Sequence, residues 1–319
     1  MDLYSTHVGS YPSKFSVENI RKIFLDTVEI GLDYPPHPQL RDFIYMYLEP
    51  LIKEGILERR GESYKLIAEF NVEDIPEPKV VEQDIVVKLS SERKLHVKGK
   101  RACITGPFTL SSRIAVSGEG LGGSLLYAKS KVLDYMVEYT RLFTLRASKL
   151  GYEMIVVDEP ILSVIVGRRI LFEYTVEDIC SALQRLFEGV SSKYKGVHVC
   201  GRLSPKVREI LLNVETINIL DHEHKDHPAN ISLYSYEDLE SYNKYMALGV
   251  LSSTNPSVEK VDDIVNRIKD GLKTYRERLL FVKSDCGFKG LSGYMNAYQI
   301  SLNKLKNLVE ALKIVKKEV

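Results

Sequence analysis

The chain is short of cysteine, of unbalanced charge and of long apolar runs. Its 319 residues include four cysteines, Cys103, Cys180, Cys200 and Cys286, too few and too scattered for the disulfide framework of a secreted domain. The 44 basic residues are offset by 43 acidic ones, and a net charge of +1 leaves no electrostatic footprint for nucleic acid. No apolar stretch reaches the ~18–20 residues of a membrane span, and "PILSVIVGRRILF" is cut by Arg168 and Arg169. The opening "MDLYSTHVGSYP" lacks the basic-then-apolar layout of a signal peptide. The glycine-rich "SGEGLGGS" (117–124) lacks the lysine of a phosphate-binding P-loop. These absences predict a cytoplasmic protein that engages neither nucleic acid nor membrane.

What is present is 44% apolar residues, ample for one large domain or two modest ones. Short β-branched runs alternate with longer helical patterns. The runs predict strands over 5–10, 28–34, 101–106, 154–160, 196–201, 216–223, 246–253 and 279–287. Helical periodicity occupies the intervals, for example "SVENIRKIFLDT" and "VEKVDDIVNRIKDGLKTYRER". A repeating βα order argues for a parallel sheet covered by helices, and eight such units predict a (β/α)8 TIM barrel in a single domain. An open doubly wound sheet is the alternative, but no glycine fingerprint follows the first strand. Residues 57–100 are charged and hairpin-like and read as an insertion between the second and third strands.

Barrels of this kind carry their chemistry where the strands end, so polar residues at those ends are the candidates. In "GVHVCG" (196–201) a period of 2 puts Val197 and Val199 on one face and His198 and Cys200 on the other. Imidazole nitrogen and thiolate sulfur are ligands that zinc favours, although a buried cysteine beside a bonded histidine would read the same way. "LLFVKSDCG" adds Cys286 at the end of the last strand, close enough in topology to share one ion. The polar cluster "ILDHEHKDH" offers Asp221, His222, Glu223, His224 and His227 as a fourth ligand, and strand parity selects none of them. "MIVVDEP" ends with Asp158 and Glu159, adjacent acids that point to opposite faces, and an acid at that mouth suits binding of an amine. The glycines of "HVGSYP" and "ITGPFTL" allow close approach of the backbone at two further strand exits.

Taken in order, "HVGSYP", "ITGPFTL", "VVDEP", "HVCG", "ILDHEH", "GVLSSTNPSVE" and "SDCGFK" resemble the catalytic half of cobalamin-independent methionine synthases, in their short archaeal core form. The resemblance spans nearly the whole chain and implies a (β/α)8 barrel that makes methionine from homocysteine. It implies zinc as the cofactor, with His198, Cys200, Cys286 and Glu223 as ligands and Asp221 as the alternative carboxylate. It further implies that Asp158 holds the substrate's ammonium, with Gly9 and Ser10 around its carboxylate. Two motifs depart from the family pattern. The exit of the second strand reads "LDYPPHPQLRD", without the family's glutamate, and Thr254 stands about where folate-using members keep a histidine. A tertiary amine leaves only if it is protonated, whereas reduced cobalt needs no acid. The expected methyl donor is therefore methylcobalamin or a corrinoid protein, with an accessory methyl-delivery protein as a possible partner, and a folate or pterin donor as the alternative. Methyl transfer to another thiol such as coenzyme M, a zinc-free decarboxylase of the same superfamily, and a non-catalytic zinc-binding barrel are the rival readings.

Overall fold

The computed structural model describes residues 2–118 and 120–318. Its strands, in chain order, are β1 (Tyr4–Ser5), β2 (Leu57–Arg60), β3 (Ser63–Leu66), β4 (Arg101–Thr105), β5 (Ile114–Ala115), β6 (Met154–Asp158), β7 (Tyr194–Val199), β8 (Ile219–His222), β9 (Tyr245–Leu251) and β10 (Leu279–Ser284). Seven of them form one parallel sheet in the order β1-β10-β9-β8-β7-β6-β4. Every residue of β4 and β6 is buried, which is how parallel strands covered on both faces read in sequence: as continuous apolar runs.

One expected strand is a helix. Residues 28–30 close the helix Val17–Ile30, which Ser16 caps at its start and Gly31 terminates at φ 92°. "VEI" is β-branched and invites a strand reading, but Ile20, Ile23, Phe24 and Thr27 keep a buried helical stripe running up to it. The left-handed glycine then stops the helix by donating to the carbonyls of Thr27 and Val28. The extended chain comes later. Isolated parallel bridges link Tyr34 to Thr6, Gln39 to Ser10 and Pro36 to Arg101, so that segment 34–39 lies between the two edge strands β1 and β4.

Within 57–100 the expected hairpin exists over β2 and β3, whose antiparallel register runs from Leu57–Leu66 to Arg60–Ser63. It is followed by a helix, Val81–Glu92, where the sequence reading expected only more hairpin-like structure. β5 adds to the hairpin in parallel with β3. Other helices pack outside the large sheet, among them Val137–Lys149, Val176–Arg185, Val261–Tyr275 and Ala297–Glu318. No helix among the described residues is long and apolar enough to cross a membrane.

Candidate metal centre and substrate cavity

The carboxyl ends of the parallel strands converge on one cavity of about 460 Å³. Ser10, Gln39, Arg41, Asp158, His198, Cys200, Cys286, Gly287 and Lys289 are among its lining residues. β7 delivers His198 as its alternation demands. Val197 and Val199 are buried in the core shared with the helices, and His198 turns the other way. Cys200 follows directly after the strand, and Cys286 lies two residues beyond β10. The result is a tight trio: His198 Nε2 lies 3.0 Å from Cys200 Sγ, and the two sulfurs are 3.5 Å apart. The ligand atoms of His198, Cys200 and Cys286 all lie within 4.8 Å of one another.

A buried charge network stands behind the trio. His198 Nδ1 sits 2.6 Å from Asp221 Oδ1, which leaves Nε2 directed at the sulfurs. Asp221 also pairs with Lys283 at 2.8 Å and Arg101 at 2.9 Å. Burial alone would raise the Asp221 carboxyl, but Lys283, Arg101 and His198 hold it well below the usual carboxylate range. Burial likewise opposes charge on His198, yet the Asp221 carboxylate lifts it to about 10. The hydrogen bond between the thiols splits their acidities: Cys286 falls well below the ordinary thiol range and Cys200 rises above it. A buried, charge-oriented imidazole beside two sulfurs is the donor set that suits zinc, with the carboxylate–histidine pair fixing the ring behind it.

Glu223 is not part of the trio. Its Oε2 accepts from Gly201 N at 2.7 Å and lies 3.3 Å from His227 Nε2. Asp221, the alternative carboxylate, has its oxygens turned toward Arg101, Lys283 and His198. His222 and His224 are buried away from the cavity, His222 against Val199 O and Tyr234 and His224 against Gly249 N. Thr254 is exposed beyond β9, close to Gly290 on the cavity rim.

The two adjacent acids separate as alternation requires. Asp158 lines the cavity, with Oδ1 buried and lacking a hydrogen-bond partner among the described residues. Burial pushes its carboxyl up to about 7. Glu159 faces the other way and accepts from Phe108 N at 2.9 Å, and from Thr109 N at 2.8 Å, at the start of the helix Pro107–Ser111. Gly9, at φ 104°, accepts from Gln39 N at 2.8 Å, and Ser10 lies on the cavity wall against Gly287. A Cβ on Gly287 would fall 1.9 Å from Ser10 Oγ, so this contact between loops requires glycine.

Several residues of the site escaped the sequence reading. Lys283 interrupts the apolar run of β10, and that charge is the available signal, whereas Arg101 opens β4 after a basic stretch and carries none. Gln39 ends segment 34–39, its Nε2 donating to Cys103 O at 3.2 Å, in the stretch that lacks the family's glutamate. Arg41 is pinned by Glu82 at 2.7 Å and Glu49 at 2.8 Å, and Glu82 comes from the helix Val81–Glu92.

Residues 74–313 match the family described as cobalamin-independent synthase, catalytic domain. The chain belongs to this family. It is an enzyme of the methionine synthase type. Its relatives include methionine synthases of Methanocaldococcus jannaschii, 26% identical with 98% of this chain and 100% of the relative covered, and of Methanothermobacter marburgensis, 26% identical with 96% and 91% covered. Among solved structures, a B12-independent methionine synthase from Shewanella sp. W3-18-1, in complex with selenomethionine, superposes with a TM-score of 0.71 at 16% identity. That alignment covers 100% of this chain and 99% of the other, and it establishes a shared fold.

Proposed function

We propose that this protein makes methionine by methylating homocysteine, with a zinc ion held by His198, Cys200, Cys286 and Glu223. The observation that carries the reading is the convergence of one imidazole and two sulfurs at the floor of a cavity whose wall bears Asp158. Bound there, zinc would supply the Lewis acidity that keeps homocysteine's sulfur as a thiolate near neutral pH. Two thiolates and a carboxylate make a donor set of −3, which suits a site that preserves the nucleophilicity of a sulfur rather than one that activates water. Glu223 is the preferred carboxylate because Asp221 is engaged by two cations and by the ring it orients.

The chain's own groups do the remaining work. Asp221 fixes His198 with Nε2 toward the site. Asp158 takes the substrate's ammonium, which supplies the partner its buried Oδ1 lacks. Gly9 and Ser10 border the position of the carboxylate. The sheet is read as a closed (β/α)8 barrel in a single domain, with 34–39 as its eighth strand and 57–100 as an insertion that braces Arg41 through Glu82.

The methyl donor is a methylcorrinoid, free or delivered by a partner protein. Thr254 offers no side chain able to protonate a folate nitrogen, and His222 and His224 do not line the cavity. Loss of a general acid costs about 10²–10⁴ in rate. Purified protein assayed with homocysteine should form methionine from methylcobalamin, with turnover abolished by zinc chelation, and little or none from methyltetrahydrofolate. Efficient folate turnover overturns the donor, and turnover that survives complete metal removal overturns the zinc.

A further inference from the structure

Besides the His198, Cys200 and Cys286 trio, four Asp, Lys or Arg side chains line the cavity, and three of them are spoken for or assigned. Arg41 is neutralised by Glu49 and Glu82. Asp42 caps the helix Phe43–Lys53 through the N–H groups of Ile44 and Tyr45. Asp158 is the carboxylate for an ammonium. The fourth is Lys289. It forms no ion pair among the described residues, and its Nζ makes one hydrogen bond, 3.2 Å to Leu40 O across the mouth. An ammonium has three N–H donors, so two remain for a ligand.

The backbone of Lys289 is held against the Ser10 loop, while its side chain is exposed and tied by the one bond to Leu40. Phe288 N donates to Ser10 O at 2.8 Å, and Lys289 N approaches Ser10 Oγ at 3.4 Å. The chain just after Cys286 therefore packs directly on the Ser10 loop, and the lysine reaches from there to Leu40 O. An ammonium at this rim and a carboxylate at Asp158 leave the cavity one uncommitted charge of each sign, complementary to the two ends of an amino acid zwitterion.

We propose that Lys289 binds the α-carboxylate of the amino acid substrate and so selects an amino acid thiol over a simple amine thiol. The assignment rests on the homocysteine reading above and adds a specificity-determining residue to it. The test is calorimetric titration of the purified, zinc-replete protein with L-homocysteine and with 3-aminopropane-1-thiol, which lacks the carboxylate. Wild type should prefer homocysteine by about 10- to 100-fold, the range for a hydrogen bond to a charged group. Lys289→Gln should erase that preference by weakening homocysteine alone, and Lys289→Arg should keep most of it. Equal weakening of both thiols, or homocysteine binding unchanged in Lys289→Gln, overturns the assignment while leaving the homocysteine reading standing. A wild-type protein that binds neither thiol overturns the homocysteine reading itself, and this assignment with it.

Discussion

The two ends of the parallel sheet are built from opposite materials. Where the strands begin, Tyr34, Tyr194, Phe281, Met154, Val156, Ile219, Ala247 and Leu280 form a separate apolar cluster. Its rings meet edge to face, with Tyr194 5.0 Å and Tyr34 5.3 Å from Phe281 between centroids. Where the strands end, the interior is charge: Lys283, Asp221 and His198, joined by the Arg101 guanidinium from the start of β4, in contact beneath two thiols. Apolar burial is non-directional and stabilises wherever area is removed from water. Buried charge stabilises little on balance but fixes directions, and one missing partner is costly. The first end holds the fold, and the second aims a donor set.

The comparison breaks most visibly at His198. Its replacement by alanine should abolish zinc retention, measured by elemental analysis, and activity with it, while the thermal transition persists because the apolar end is untouched. Lys283→Met tests the layer beneath. Asp221 then loses one of its two full cations, and removal of a buried partner typically costs about 3–5 kcal/mol. Denaturant unfolding should report that loss, and zinc affinity should fall in parallel because His198 loses its fixed orientation. Stability lost with zinc affinity intact would show that the network supports the fold alone.

Phe281→Ala is the converse. Deleting a fully buried ring costs about 3–4 kcal/mol of stability through lost burial and the cavity left behind. Zinc per folded chain should remain at the wild-type level. A smaller effect on a different quantity is expected at Asp158. Asp158→Asn should weaken homocysteine binding by about 2–4 kcal/mol, as for truncating one member of a buried charge pair, with zinc content unchanged. Unchanged affinity for homocysteine would remove Asp158 from the ammonium site.

The same contrast explains what the sequence made legible. His198, Cys200 and Cys286 could be read because strand alternation and strand ends are local properties. Asp221 and its cations could not be paired, because Arg101, Asp221 and Lys283 lie on β4, β8 and β10, none adjacent to another in the sheet. They meet across the inside of its curve, and no spacing records that. The strand misread over 28–34 fails for a local reason: three β-branched or acidic residues at a helix end look extended until Gly31 is given its role as a stop. Glu223 stays one of five candidates in the sequence because it lies just past the end of β8, where pairing no longer sets parity.

The smallest expected effect compares two buried lysines. Lys283 has a carboxylate at 2.8 Å. Lys244, beside the apolar end, bonds among the described residues to the carbonyls of Val214 and Ile217 alone, at 2.6 and 2.7 Å. Burial lowers Lys244 from 10.5 to about 8, with the charge of Glu215 opposing it only in part. The sign follows directly. Above about 10.5 the amine is neutral in both folded and unfolded chains, and its burial carries no charge penalty. As pH falls from 10.5 toward 8 the unfolded chain takes up a proton that the folded chain does not, and stability is lost. Below 8 both forms are charged and the dependence on pH ends. At about 1.4 kcal/mol per pKa unit the shift corresponds to about 3.5 kcal/mol, which partial screening by solvent reduces to on the order of 2 kcal/mol. The difference in unfolding free energy between wild type and Lys244→Met isolates it from the tyrosines that titrate in the same range. That difference should favour the variant most at pH 7 and shrink by about 2 kcal/mol toward pH 10.5. A difference that stays constant with pH would mean that the two carbonyls stabilise the ammonium as well as water does, and that the apolar end tolerates charge after all.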